Sequence, residues 1–432
     1  MFRAIIADDF PPFGKLALEL PPVQDKPDGL GEVHLFTGVN GTGKTRLLSL
    51  IAAMLGNQSP LSKRMKGNET LVRFAAADEV QTPPLPVEPL THGNPNDLWP
   101  PWITFRLPPV HNEWPHPDVT HFGHWLNTVP AFAYRGSPYV EDAEIKTMVA
   151  VPPQDRLACL SFDRASEKSQ HLLQAIGNLV VQEALDGRNP RSPGASKASA
   201  AKVLRALESA LTQITGFDFK FDLQTKPNMT LSVFWGGLKL YFDVLPDGLR
   251  SIIGWMVHAL VMMDSWLQGD QDPMETEAVF LLDEIESHLH PAWQRRVLPA
   301  FQHLFPKAQI FVATHSPFVI TSLNHGWIHP LTMTSTRKVN VEKPVQASKG
   351  KNYISVLEDI MGVKEWYDVE TEKLLQEFRT QRDKAYHGDT EAKKQVRQLG
   401  REISARSMEL DFIMGKELIQ MDRQLAKNAG QK

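Results

Sequence analysis

Apolar and polar positions along the chain fall into two periods, and their alternation sets the fold class. AVFLLDE from Ala278 has the length and nearly continuous apolar patterning of a strand buried on both faces, and EVHLFTG from Glu32 and QIFVAT from Gln309 also read as strands. KLALEL from Lys15 reads as a further strand, set off from EVHLFTG by a Pro-Pro break. FDFKFDL, TLSVFWG and LKLYFDV, between Phe217 and Val244, alternate instead, which predicts half-buried antiparallel strands; Gly236-Gly237 between the last two marks a tight hairpin. Helical spacing appears at Leu172, Leu173, Ile176, Leu179, Val180 and Ala184, in a run ending at Asp186-Gly187, and again at Val203, Leu204, Leu207, Leu211 and Ile214. RNPRSPGAS between these helices reads as a surface linker. Another helix is expected from about Pro291, between the AVFLLDE and QIFVAT strands. Strands alternating with helices predict an α/β protein built on a parallel sheet. The charged C-terminal stretch holds two helical runs around Gly388-Asp389, VETEKLLQEFRTQRDKAYHG and DTEAKKQVRQLGREISARSMEL, which predict an antiparallel helical hairpin. No fixed-period repeat is present.

One region breaks the pattern. From about Gln81 to Pro138 the chain turns rich in Pro, Trp and His, and repeated prolines oppose regular helix and interior strand. This predicts an irregular insert, folded rather than disordered because Trp99, Trp102, Trp114 and Trp125 need packing partners. The 432 residues suffice for about two or three domains. A net charge of −4 gives no global basic excess to advertise nucleic-acid binding. The longest apolar run, Ile252 to Met263, is too short to span a bilayer and is interrupted by His258. With no leader pattern at the N-terminus, the expectation is a cytoplasmic chain without membrane association. The single cysteine, Cys159, cannot form an intramolecular disulfide or a Cys-based zinc site and reads as a packed thiol.

The chemistry concentrates at three strand ends. GVNGTGKT, Gly38 to Thr45, lies between a strand and a helix and fits the phosphate-binding pattern G-x-x-x-x-G-K-[ST]. Its backbone N–H groups and helix N-terminus suit phosphate oxygens, Lys44 suits the β- and γ-phosphates, and the Thr45 hydroxyl suits Mg²⁺. Gly38, Asn40, Gly41, Thr42, Gly43, Lys44, Thr45 and Arg46 are therefore the candidate ATP-binding residues. AVFLLDE ends in Asp283, a candidate for the Mg²⁺ shell with Thr45, and Glu284, a candidate base for the attacking water. QIFVAT runs into His315, a candidate γ-phosphate contact where ligands bind in such sheets. The candidate catalytic set is Glu284, Lys44 and His315. Two further histidine groups have blander readings: His288 and His290 stand in the loop after the acidic strand, and His111, His116, His121 and His124 lack cysteine partners.

GVNGTGKT, LLDEIESHLHPAWQRRVLPAF and FVATHSP together resemble ABC-type ATPases of the RecF, Rad50 and SMC group, particularly those related to the overcoming-lysogenisation family. The resemblance implies an ABC-type P-loop head with a helical lobe, using ATP and Mg²⁺, in which two heads sandwich ATP between the P-loop of one and a signature loop of the other. LPDGLRSII, Leu245 to Ile253, stands where that loop belongs, which implies roles in trans for Asp247, Gly248, Arg250 and Ser251. Pro246 replaces the family's signature serine, so that serine's role does not carry over and slow hydrolysis is one expectation. Read without the resemblance, the same stretch is an ordinary Asp-Gly turn. The implied organisation is a first head segment at 1–80, the insert at 81–165, a helical lobe at 166–230, a second head segment at 231–345 and the C-terminal hairpin at 346–432.

The resemblance is also to ATPases of antiphage systems such as Septu and PARIS, which implies a homo-oligomer, a head-to-head dimer or larger, that controls a separate effector protein, a nuclease, in answer to a phage-encoded trigger. After His315 about 115 residues remain, with no acidic motif set for an appended nuclease. A chromosome-maintenance or DNA-repair ATPase shares every nucleotide motif and is the alternative, with DNA binding left open. The absence of a long heptad-patterned arm counts against it.

Overall fold

The computed structural model describes residues 1–8, 10–23, 26–57, 70–76, 102–107, 128–136, 155–162, 172–186, 200–224, 229–267, 271–347, 350, 353–363 and 365–430. The four histidines at positions 111 to 124 and Trp99, Trp114 and Trp125 lie outside the described residues. The chain divides into two compact units, Met1–Met361 and Gly362–Lys432.

The larger unit is built on a sheet whose main path runs β13-β12-β3-β11-β10-β6. Its members are β3 (Glu32–Gly38), β6 (Ala131–Arg135), β10 (Ala278–Asp283), β11 (Ala308–Ala313), β12 (Trp327–Met333) and β13 (Val339–Val341), with β14 (Val345–Gln346) also paired to β12. Neighbours from β12 through β6 are parallel, while β13 and β14 run antiparallel to β12. Successive side chains of a strand point to opposite faces, and both faces of this sheet are covered. Phe280 and Leu282 join a core with α2 (Leu172–Asp186), α3 (Ala200–Thr215), α4 (Asp247–Leu267) and α5 (Pro291–Leu304). Val279 and Leu281 face α1 (Lys44–Met54) and a second sheet instead. This two-sided burial is why β10 and most of β11 read as continuous apolar runs.

The second sheet, ordered β2-β1-β4-β5, contains β1 (Phe2–Asp8), β2 (Lys15–Glu19), β4 (Thr70–Ala76) and β5 (Trp102–Leu107), all antiparallel. The third comprises β7 (Phe219–Gln224), β8 (Thr230–Trp235) and β9 (Leu238–Tyr241), with Gly236 and Gly237 at φ 58° and 83° in the hairpin between β8 and β9.

Two expectations are corrected here. The segment 81–165 is not wholly an irregular insert: WITFRL, a proline-free stretch, forms β5, and AFAYR forms β6 of the central sheet. The C-terminal element is a bundle of three helices rather than a two-helix hairpin: α7 (Val369–Tyr386), α8 (Thr390–Ser404) and α9 (Met408–Gly430). The second expected helical run breaks after Ser404, and the Ser407 hydroxyl accepts the N–H of Leu410 at 3.2 Å at the start of α9.

Candidate nucleotide-binding site

Parallel strands place their C-terminal ends on one edge, and β3, β6, β10 and β11 bring four functional segments to it. After β3 the chain turns through Gly41 and Gly43, at φ 85° and 82°. Gly43 is the residue preceding α1, and a Cβ there would meet Pro12 and Phe13 at 2.9 Å. Left-handed backbone and crowding both call for glycine. Thr42 is buried, and its hydroxyl donates to the Val39 carbonyl at 2.9 Å; Asn40 is exposed at the loop tip. Lys44 folds back to donate to the carbonyls of Gly38 at 2.7 Å and Val39 at 3.2 Å. Burial lowers its pKa to about 8, against the opposing pull of Asp283, Glu284 and Glu286. Arg46 stands over the ring of Phe10, in the connection between β1 and β2, at 5.3 Å from its centroid.

Thr45 and Asp283 meet. The Thr45 hydroxyl lies 3.1 Å from both carboxylate oxygens of Asp283, which is 1% exposed. Burial pushes the Asp283 pKa up, while Arg135 and Thr45 pull it down. A hydroxyl beside a buried carboxylate at a phosphate loop is a hard-oxygen donor set that fits Mg²⁺. Glu284 follows at φ 51°, exposed, its backbone N–H tied to the Ala313 carbonyl at 2.9 Å. That left-handed residue ends the strand.

Glu286, two residues on, is a positioning residue that the sequence reading missed. Its Oε1 accepts the Thr314 hydroxyl at 2.6 Å and the His315 N–H at 2.8 Å, fixing the end of β11. The Thr314 and Ser316 side chains close the next turn, with Ser316 capping α6 (Pro317–Ser322). His315 feels Lys44 and Glu284 electrostatically, and burial together with Lys44 keeps its pKa below the ordinary histidine value. Its imidazole is therefore neutral near pH 7 and able to donate one hydrogen bond.

Arg135, at the end of β6, is the second residue missed. It sits opposite Asp283 in the parallel register, and its Nε and Nη2 donate to Asp283 Oδ2 at 3.0 and 2.9 Å. The apolar run AFAYR was the available signal, hidden by the proline-rich surroundings.

LPDGLRSII is not a turn at Asp247-Gly248. Pro246 precedes α4, its carbonyl accepting the N–H groups of Leu249 and Arg250, and Asp247 and Gly248 are the first helical residues. A Cβ on Gly248 would stand 2.6 Å from both the His288 carbonyl and Leu289 Cδ2, so close packing on the turn after β10 requires this glycine. Asp247 and Arg250 pair on the surface. Ser251 is 1% exposed, which places its hydroxyl inside the head rather than on a face a second subunit could touch. The His290 ring accepts the Ala292 N–H at the start of α5. Among the described residues no group of three or more His, Cys, Asp or Glu side chains could hold a metal.

A P-loop, an acidic strand end and a histidine strand end on one edge of a parallel sheet, with a helical lobe presenting α4, decide the architecture. The fold is that of a P-loop ATPase head of the ABC type. Residues 133–321 match the family model described as "AAA domain, putative AbiEii toxin, Type IV TA system". The chain is similar to the Septu protein PtuA of Bacillus thuringiensis, with 29% identity over 133 residues, 29% of this chain and 33% of that protein. It is also similar to the Retron Vc95 probable ATPase of Vibrio cholerae serotype O1 biovar El Tor, with 23% identity over 205 residues, 47% of this chain and 39% of that protein. The matches thus span between a third and two fifths of those relatives' lengths. Among solved structures, the SMC head bound to the C-winged helix domain of ScpA aligns with a TM-score of 0.40 at 10% identity, covering 80% of this chain and 97% of that one. No described helix of the head or of the C-terminal unit is long and apolar enough to cross a membrane.

Proposed function

We propose that the protein binds and hydrolyses ATP, that ATP drives its heads together, and that the assembly acts as the sensor or regulatory subunit of an antiphage system, controlling a separate nuclease. The observation that carries the ATPase reading is the meeting of Lys44, Thr45, Asp283, Glu284 and the His315 turn at one sheet edge. Similarity to PtuA and to a retron ATPase supports the biological setting.

The phosphate loop and Lys44 bind the triphosphate, Lys44 exchanging the Gly38 and Val39 carbonyls for phosphate oxygens. Thr45 and Asp283 would hold Mg²⁺, which supplies charge neutralisation at the β- and γ-phosphates. Glu284 orients the attacking water and takes its proton. His315, held by Glu286 through its backbone, donates to the γ-phosphate. Asp247, Gly248 and Arg250 at the start of α4 approach the ATP of a second head, where the helix N-terminus favours an anion.

The test is Glu284→Gln. It removes the base but neither the phosphate nor the metal contacts, so the variant should retain ATP, lose turnover by about a hundredfold or more, and accumulate as the assembled species in sedimentation. Lys44→Ala should lose nucleotide binding and assembly together. Unaltered turnover by Glu284→Gln would remove Glu284 from the mechanism, and no ATP-dependent change in sedimentation would remove the assembly step.

A further inference from the structure

The Asp283 carboxylate already has a cation. Its side chain is 2% exposed while that of Arg135 is 36% exposed, so water reaches the guanidinium but scarcely the carboxylate. Parallel pairing sets Arg135 directly beside Asp283, and the Gly136 N–H donates to the Asp283 carbonyl at 3.0 Å, locking the two backbones. From there Nε and Nη2 both close on Oδ2, and the Thr45 hydroxyl bridges Oδ1 and Oδ2. A buried carboxylate without a counter-charge is strongly disfavoured, and this geometry supplies one before any metal arrives.

We propose that Arg135 is the resident counter-ion of Asp283 and competes with Mg²⁺ for it, so that binding of the metal–nucleotide complex releases the guanidinium. The inference rests on reading this edge as an ATP site. Two positive charges cannot share one carboxylate at contact distance without repulsion, whereas either alone satisfies it. Release has a route. β6 is the last strand on its side of the sheet among the described residues, and the Arg135 Cζ lies 5.8 Å from the centroid of the Phe162 ring, which can hold a guanidinium that has let go of the carboxylate. The exchange makes the position of the β6 end depend on whether metal and nucleotide are present. That end abuts the turn after β10: a Cβ on Gly136 would lie 2.0 Å from the Glu284 carbonyl and 2.7 Å from Ser287 Cβ. A shift of Arg135 and its neighbour is therefore felt by the residue that activates water.

The experiment measures binding of a fluorescent, non-hydrolysable ATP analogue to the full chain, in EDTA and in saturating Mg²⁺, for the wild type, Arg135→Gln and Arg135→Lys. The quantity read is the factor by which Mg²⁺ tightens the nucleotide. With the competitor removed, that factor should rise roughly three- to tenfold in Arg135→Gln. Arg135→Lys, which keeps the charge but not the two-nitrogen grip, should move in the same direction by less. Electron paramagnetic resonance of Mn²⁺ in place of Mg²⁺ should report tighter metal in the same order. An unchanged or smaller factor in Arg135→Gln overturns the proposal, because Arg135 then serves the nucleotide or the fold and not the metal exchange. Should Arg135→Gln fail to fold by circular dichroism, Arg135→Lys decides by the same criterion. If the wild type shows no metal-dependent nucleotide binding, it is the ATP-site reading that fails.

Discussion

Gly136 and Gly248 enclose the turn from Glu284 to Leu289 from two directions, the first against Glu284 and Ser287, the second against His288 and Leu289. Within that turn Glu284 and His288 adopt φ of 51° and 63°, conformations that cost about 1–3 kcal/mol each and persist only when the surroundings impose them. The residues that require glycine at the helix start thus belong to the turn that carries Glu284, which ties the surface we propose for a second head to the carboxylate we propose as the base. Arg250 tests the trans role because it lies on that surface, paired with Asp247. Arg250→Ala should leave nucleotide affinity of the isolated subunit within about twofold, while ATP-dependent association loses a charge-assisted contact of roughly 1.5–3 kcal/mol. Mixing Arg250→Ala with Lys44→Ala protein should restore some hydrolysis by rebuilding intact composite sites. Loss of ATP binding by unassembled Arg250→Ala protein, or no recovery in demonstrably mixed oligomers, would leave LPDGLRSII as a structural helix start.

Among elements, those buried on both faces were the readable ones. β10 and β11 announce themselves as apolar runs and β3 as a strand leading into a glycine-rich loop, and the P-loop, Asp283, Glu284 and His315 were legible because each stands at the end of one of them. β6 is buried except at Arg135, yet five residues beside proline-rich sequence gave too short a window to separate from the insert, and Arg135 was lost with it. Glu286 was invisible for another reason: its partners Thr314 and His315 are 28 and 29 positions away, and no local pattern encodes that contact. The break before α9 had a local sign, Ser407, outweighed by the helical composition around it. A further non-local feature joins β1 to the central sheet. Arg3 pairs with Glu32 at 2.6 Å, Gln309 bonds both Glu32 and the Phe2 backbone, and His34 bridges Glu32 at 3.0 Å and His329 at 3.1 Å. With Glu32 as acceptor, His34 donates through Nε2 and must accept from His329 Nε2, which leaves His329 Nδ1 buried without a partner among the described residues. Both rings are fully buried, and burial lowers both pKa values. Burial opposes the Glu32 charge, but His34 and Arg3 overcome it and hold that carboxyl at about 2. The signs agree: below about pH 6.5 the unfolded chain takes up protons the buried rings refuse, and below about 4.5 it takes up one that Glu32 refuses. Stability should be full above the first value and fall stepwise beneath it. His329→Gln keeps a donor for His34 but cannot titrate, so its melting temperature should fall less steeply between about pH 7 and 5 than that of the wild type. Parallel curves would exclude His329 as a source of the acid sensitivity.

For the whole molecule, the division into two units makes its own prediction. The C-terminal unit has a separate core of Leu375, Phe378, Ala385, Ala392, Val396, Ile403, Leu410, Met414 and Met421, drawn from all three of its helices. Asp368 and Asp389 cap α7 and α8 through their carboxylates, and Arg382 pairs with Glu417 at 2.6 Å between α7 and α9. A core, caps and an interhelical pair within one short segment are the ingredients of autonomous folding, although a unit of this size rarely holds more than about 3–5 kcal/mol. Residues 362–432 expressed alone should therefore give a helical spectrum with a cooperative melt, and the chain ending at Met361 should bind nucleotide as the full chain does, because Lys44, Thr45, Asp283 and His315 all lie before that point. Phe378 is 1% exposed, so Phe378→Ala should cost about 3–5 kcal/mol, enough to abolish the fragment's melt. We propose that this charged bundle, which lies outside the nucleotide-binding residues, serves assembly or effector capture, so that in the full chain the same substitution should spare nucleotide affinity and weaken ATP-dependent association or effector capture. Circular dichroism of the fragment and sedimentation of the full-length variant separate the two claims. A fragment without a cooperative transition would show that the bundle depends on the head for its fold, and full association by Phe378→Ala would take assembly away from the bundle.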